Sequence, residues 1–229
     1  MTARLLLPCK IHTVLLMLGV LTAAMLAGCS QTAASFMGTE LTAREPAPEF
    51  TLLDQFGEET SLRDQRGKVV ALTFLYTNCP DICPLTAHSL GKAHEALGED
   101  AARVSIIAIS VDPARDTPQQ VRAYSQQRNM LDKWSFLTGS EEELSLLWEA
   151  YYLSVERTGD SGDAIESLGT DLARESLASS EGLSEKAAYL VTHSAPVYLI
   201  DQEGTMRSVI TDLTLDPKPL VHDIRLLLK

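Results

Sequence analysis

Two long apolar runs organise the sequence. Residues 68–76 (KVVALTFLY) and 103–111 (RVSIIAISV) carry a single charge each, at the first position, and are rich in β-branched residues. Runs of this length without alternation predict strands buried on both faces. Shorter strands are predicted at 50–54, resuming at 60–62 after the turn Gln55-Phe56-Gly57-Glu58, and at 134–137. A hairpin is predicted from 197–200 and 206–210, joined by Gln202-Glu203-Gly204.

Helical patterns fill the gaps. The first runs from Cys83-Pro84 to about residue 97, with Pro84 in the first turn, where its missing N–H costs nothing. Thr117 as N-cap, Pro118 at N1 and Gln120 at N3 form a capping-box pattern opening a helix to about residue 128. Ser140 with Glu143 opens another to about residue 151, and an amphipathic helix spans about 217–228. Strand–helix–strand–helix followed by a hairpin and a helix predicts an α/β sandwich with a mixed central sheet and flanking helices.

Three segments stand outside this pattern. Residues 157–188 hold seven acidic and three basic residues, no aromatic, and many Ser and Gly. Such a stretch buries little, and it reads as an acidic surface insertion, partly helical around 165–177. Residues 29–45, rich in Gln, Thr, Ala, Ser and Gly, read as a flexible tether. Residues 1–28 read as a secretory signal: Arg4 and Lys10 precede an apolar run over 11–26, then Ala27 and Gly28. At about 16 residues the run is short of the ~20 that a spanning helix needs. Leu26-Ala27-Gly28-Cys29 resembles the bacterial lipobox, so Cys29 is expected to become a lipidated amino terminus that anchors the chain without spanning the membrane. The domain proper is then 46–229, exported and facing the periplasm or cell exterior.

Charge and cysteine content narrow the chemistry. Losing residues 1–28 takes the formal charge from −12 to −14, which argues against nucleic acid as a partner. With Cys9 removed and Cys29 lipidated, Cys79 and Cys83 remain, in a compartment where a dithiol closes unless it is kept reduced.

Cys79 and Cys83 lie where a buried strand gives way to a helix. Unpaired N–H groups and a partial positive charge at the helix start favour thiolate there. Three residues, Pro80-Asp81-Ile82, separate the cysteines, against two in thioredoxin-like redox pairs. Positions four apart share a helix face, so the sulfurs can close a disulfide or converge on one metal. Among the five histidines, His12 is in the leader, and His88 and His94 follow the cysteines on the helix out of register. His222 belongs to the last helix. His193, in Val191-Thr192-His193-Ser194-Ala195, precedes a core strand, and in this topology its loop lies against the cysteine loop. His193 is therefore the candidate third ligand.

Three motifs in order, Tyr76-Thr77-Asn78-Cys79-Pro80-Asp81-Ile82-Cys83-Pro84, then Ser110-Val111-Asp112-Pro113-Ala114-Arg115-Asp116-Thr117-Pro118, then His193 before Tyr198-Leu199-Ile200-Asp201, resemble the Sco/SenC family of copper-binding assembly factors for cytochrome c oxidase. The resemblance covers residues 46–228. It implies a thioredoxin-like fold, one copper held by Cys79, Cys83 and His193, and delivery to the dinuclear copper centre of the oxidase or thiol reduction there. The copper-bearing oxidase subunit is the expected partner, with other copper or thiol carriers beside it. Two thiolates and an imidazole suit Cu(I) and can also hold Cu(II). Asp81, between the cysteines, is expected either to tune the site as an acceptor or to be a solvated loop acid. Residues 112–118 read as strand end and helix cap, with Arg115 and Asp116 also candidates for a partner surface.

The expected function is a copper metallochaperone, not an enzyme turning over a small substrate. The alternative is a thiol-disulfide reductase using Cys79 and Cys83 alone. A peroxidase on this fold is disfavoured, because Tyr76 stands where peroxiredoxins place Thr or Ser before the reactive cysteine.

Overall fold

In the computed structural model, residues 35–158, 189–211, 213 and 215–229 are described. The expected signal peptide, the lipid attachment at Cys29 and residues 159–188 of the acidic stretch lie outside them. Among the described residues, no helix is long and apolar enough to cross a membrane.

The strands are β1 (Thr39–Glu40), β2 (Thr51–Leu53), β3 (Glu59–Ser61), β4 (Val69–Leu75), β5 (Val104–Ser110), β6 (Ser135–Leu137), β7 (Val155–Thr158), β8 (Leu190–His193), β9 (Val197–Ile200) and β10 (Met206–Ile210). The helices are α1 (Ile82–Leu97), α2 (Pro118–Gln127), α3 (Glu141–Ala150) and α4 (Lys218–Leu227). A six-stranded sheet has the order β1-β10-β9-β4-β5-β6. β4, β5 and β6 are parallel, while β9 runs antiparallel to β4 and β10 to β9. This is the thioredoxin-like sandwich with a mixed central sheet and flanking helices.

All seven residues of β4 are buried, as its unbroken apolar run predicts. Its one polar side chain, Thr73, donates to the Pro196 carbonyl at 2.9 Å, which offsets the cost of burying a hydroxyl. α1 buries Cys83, Thr86, Ala87, Leu90, Ala93 and Leu97, spaced by three or four as a helix face requires. It stops at Gly98, whose φ is +59°. Thr117 accepts the Gln120 N–H, and at Ser140 and Glu143 the full reciprocal capping box forms.

Two expectations are corrected. The tether expected over 29–45 is already bound to the domain by residue 37. β1 pairs with β10, and the Met37 and Gly38 N–H groups donate to the two oxygens of the buried Asp223 carboxylate at 2.7 and 2.8 Å. A Cβ on Gly38 would meet Ile210, Ser208 and Val209 at 2.9 Å, so only glycine lets the chain lie this close. The reason is non-local: β10 would otherwise present an open edge, and a two-residue strand covers it. The acidic insertion expected from 157 begins later, because Arg157 and Thr158 belong to β7, which pairs antiparallel with β8. The partner is more than thirty residues away, and neither strand shows an apolar repeat.

Candidate metal centre

Cys79 and Cys83 sit where β4 hands over to α1. The Cys79 N–H donates to the Tyr76 carbonyl, and the Cys83 N–H, in the first turn of α1, donates to Cys79 Sγ at 3.4 Å. Both thiols are free. Cys79 is 8% exposed and Cys83 is fully buried. The four-residue spacing therefore puts both sulfurs on one side of the turn, as the helix repeat demands.

Their environments differ. The Cys79 thiol is pulled down to about 6, chiefly by the hydrogen bond from the Cys83 thiol, with the backbone N–H groups of Cys83 and Asp81 adding to it against burial. Cys83 is pushed up by giving that bond and by burial. Cys79 therefore carries the thiolate and Cys83 keeps the proton. Alkylation of Cys79 by iodoacetamide is expected to be half-maximal near pH 6, against about 8.5 for an ordinary thiol. Peptide mass spectrometry from pH 5 to 9 reads this, and a midpoint above 8 would mean that Cys83 does not stabilise the thiolate.

His193 closes β8. Its Nδ1 lies 2.8 Å from the Ser194 carbonyl, so this nitrogen carries the proton and Nε2 bears the lone pair. Nε2 is buried and has no partner. Burial also holds the imidazole pKa below its ordinary value, keeping it neutral as a metal ligand must be. The ring packs edge-on against Tyr76 at 5.7 Å between centroids, and Tyr76 lies three residues before Cys79. Burial pushes the Tyr76 hydroxyl up to about 12; it accepts the Val191 N–H of β8 at 3.4 Å.

The structure thus joins the two thiols and packs His193 against Tyr76, at the end of the strand that leads into their loop. Among the described residues, no three His, Cys, Asp or Glu side chains are close enough to hold an ion together. Two free thiols and an unpartnered buried imidazole nitrogen nevertheless suit a soft metal. Asp81 is exposed at the N-cap of α1 and makes no side-chain capping bond; its N–H serves Cys79. His88 is exposed on α1, and His222 lies 2.8 Å from Asp223 on α4.

Arg115 and Asp116 face inward, which corrects the expectation of a partner surface. Asp116 is fully buried and accepts from the Thr77 N–H at 3.1 Å, the Thr77 hydroxyl at 2.5 Å and the Ser110 hydroxyl at 2.7 Å. It thereby ties the cysteine loop to the end of β5. Burial raises its pKa to about 6. Asp112 pairs with Arg115 and accepts the Tyr189 hydroxyl at 2.5 Å. From sequence, Tyr76 and Asp112 stand within the family motifs without a role at the metal site, and Tyr189 stands in no motif. The available signal was the charged cluster directly after an all-apolar strand.

A profile of the SCO1/SenC family matches residues 39–229. A SCO2-like protein of Rickettsia typhi is 29% identical over 155 residues, 68% of this chain and 64% of its own length. The chain thus spans a little under two thirds of that relative. The structure of Bradyrhizobium japonicum ScoI with copper bound is 25% identical, with a TM-score of 0.62 over 80% of this chain and 99% of that one. Arabidopsis thaliana ScoI with copper bound is 27% identical, with a TM-score of 0.61 over 80% and 98%.

Proposed function

The chain belongs to the SCO1/SenC family, and from that premise we propose that it is an exported copper carrier. It binds one copper ion through Cys79, Cys83 and His193 and acts in maturing the dinuclear copper centre of cytochrome c oxidase. Copper is cargo here: it arrives, is held by soft donors and leaves to a protein acceptor. The leader pattern supports export, with a lipid on Cys29 fixing the domain to the membrane, and the copper-bearing oxidase subunit is the acceptor.

The observation that carries this reading is the buried, partnerless Nε2 of His193 beside a free dithiol. An imidazole nitrogen shut away from water without a partner costs free energy unless something binds it. The Ser194 carbonyl holds the tautomer that leaves Nε2 free. Cys79 supplies a thiolate already formed, and Cys83 must give up its proton as the metal enters. Because the three donors do not yet converge, loading draws the imidazole and the sulfurs together.

The test is copper stoichiometry on the reduced, metal-free protein, with a chelator competition for affinity. One ion per chain is expected, with His193→Ala weakening binding by at least about a hundredfold, some 2.7 kcal/mol. Binding well below one ion per chain, or unchanged by His193→Ala, would sink the proposal.

A second reading is favoured by the unequal thiols. A thiolate at Cys79 beside a protonated, buried Cys83 is the arrangement of an attacking and a resolving cysteine. A reductase built on this pair keeps exported cysteines reduced, the oxidase's among them. Its activity on a disulfide substrate survives His193→Ala, whereas copper binding does not, so one variant separates the two.

A further inference from the structure

The strand that carries His193 has little to hold it. Among the described residues β8 pairs only with β7, and of the eight residues in this two-stranded sheet only Val191 is buried. An isolated pair of strands is marginal in water. Along the strand it is held by buried Val191, whose N–H donates to the Tyr76 hydroxyl, and at its start Tyr189 is gripped at three points. The Arg115 guanidinium lies 3.7 Å from the centroid of the Tyr189 ring, Arg115 Nη1 donates to the Tyr189 carbonyl at 3.0 Å, and the Tyr189 hydroxyl donates to Asp112. Arg115 is itself set by its ion pair with Asp112 and by a tight turn in which the N–H groups of Arg115 and Asp116 both reach the Asp112 carbonyl. Its side chain is only 6% exposed, and Nη2 is buried with no partner. Burying a cation so completely is costly, and an alkyl side chain would fill the space more cheaply. The planar fork and the stacking face are what arginine offers here that lysine does not.

We propose that Arg115, by gripping Tyr189, is the positioning residue that sets where His193 stands relative to the two thiols. The inference rests on His193 being a copper ligand. Arg115 touches no metal and acts through β8, four residues from Tyr189 to His193. The same turn continues into Asp116, which holds Thr77 and with it the cysteine loop. One short segment thus sets both halves of the site against each other.

The test uses the full reduced chain with Arg115→Lys, Tyr189→Phe, His193→Ala and the double variant Arg115→Lys/His193→Ala. In the metal-free protein, Arg115→Lys is expected to shift the imidazole resonances of His193 in the NMR spectrum and to leave the Cys79 alkylation midpoint in place. Copper affinity is expected to fall about ten- to a hundredfold, the range seen when a ligand's support is removed. Tyr189→Phe keeps the stack and loses only the Asp112 bond, so its loss is smaller. The double variant is expected to bind no more weakly than His193→Ala, because Arg115 acts only through that ligand. Additive losses in the double variant, or unmoved His193 resonances in Arg115→Lys, would overturn the inference. If His193→Ala leaves affinity intact, the copper assignment of His193 fails, and the positioning role is then decided by the metal-free resonances alone.

Discussion

Copper affinity of the reduced protein is expected to rise about tenfold for each pH unit between pH 7 and 9, with one proton released per ion. The sign follows from the thiols. Cys79, pulled down to about 6, is already a thiolate in this range and has nothing to release. Cys83, pushed up by burial and by its bond to Cys79, holds its proton until the metal displaces it. His193, held below its ordinary value, is neutral and contributes none. Below pH 6 Cys79 is protonated too, and the slope steepens toward two. Proton release in unbuffered titrations, or chelator competition at several pH values, measures it. Cys83→Ser is expected to flatten the slope above pH 7 and to weaken binding by about a thousandfold or more, some 4 kcal/mol. A flat profile in the native protein would remove Cys83 from the ligand set.

Asp116→Ala is expected to cost about 2–4 kcal/mol of stability and to loosen the cysteine loop. The alanine leaves the Thr77 N–H and the fully buried Ser110 hydroxyl without their acceptor, and the Thr77 hydroxyl with Asn78 Oδ1 alone. An unmade bond in a dry interior carries the full desolvation penalty of each group. Asp116→Asn keeps the shape and one acceptor oxygen, so it should cost less. The pH dependence identifies the group. Its folded pKa is raised to about 6 from 3.8, so the protonated form is the favoured one in the fold. That contribution is complete below pH 3.8 and is lost as pH rises through 6. The advantage of Asp116 over Asn should therefore be largest near pH 4 and shrink by pH 7, read from chemical denaturation at each pH. An advantage that grows with pH would reverse the assignment.

The parts of the fold legible in the sequence are those decided by neighbours along the chain. β4 and β5 follow from two apolar runs, α2 and α3 from Thr117 and Ser140, and the start of α1 from the cysteine loop and Pro84. The dithiol was legible for the same reason, since a spacing of four fixes a shared face. His193 was found through topology, but as a loop residue; that it ends a strand depends on Val155, 38 positions earlier. Contacts made across such distances leave no periodic trace. Asp223 reaches back 186 residues to Met37, and Asp112 meets Tyr189 across 77. The strand end and helix cap at 112–118 are legible, but the partner surface expected of Arg115 and Asp116 is not formed, although charged residues usually face outward. Their burial is visible only when the stacking ring of Tyr189 and the donors on Thr77 and Ser110 are in place.

The clasp of Asp223 on Met37 also sets a working radius. Eight residue steps separate Met37 from Cys29, a span of at most roughly 28 Å when fully stretched. Were Cys29 lipidated as proposed, Met37 could lie no farther than about one hydrocarbon thickness from the anchor. For the proposed copper carrier, such an anchor would keep the domain over the bilayer rather than ranging through the compartment, and would favour acceptors whose copper-receiving groups rise no farther above the membrane than the domain can lean.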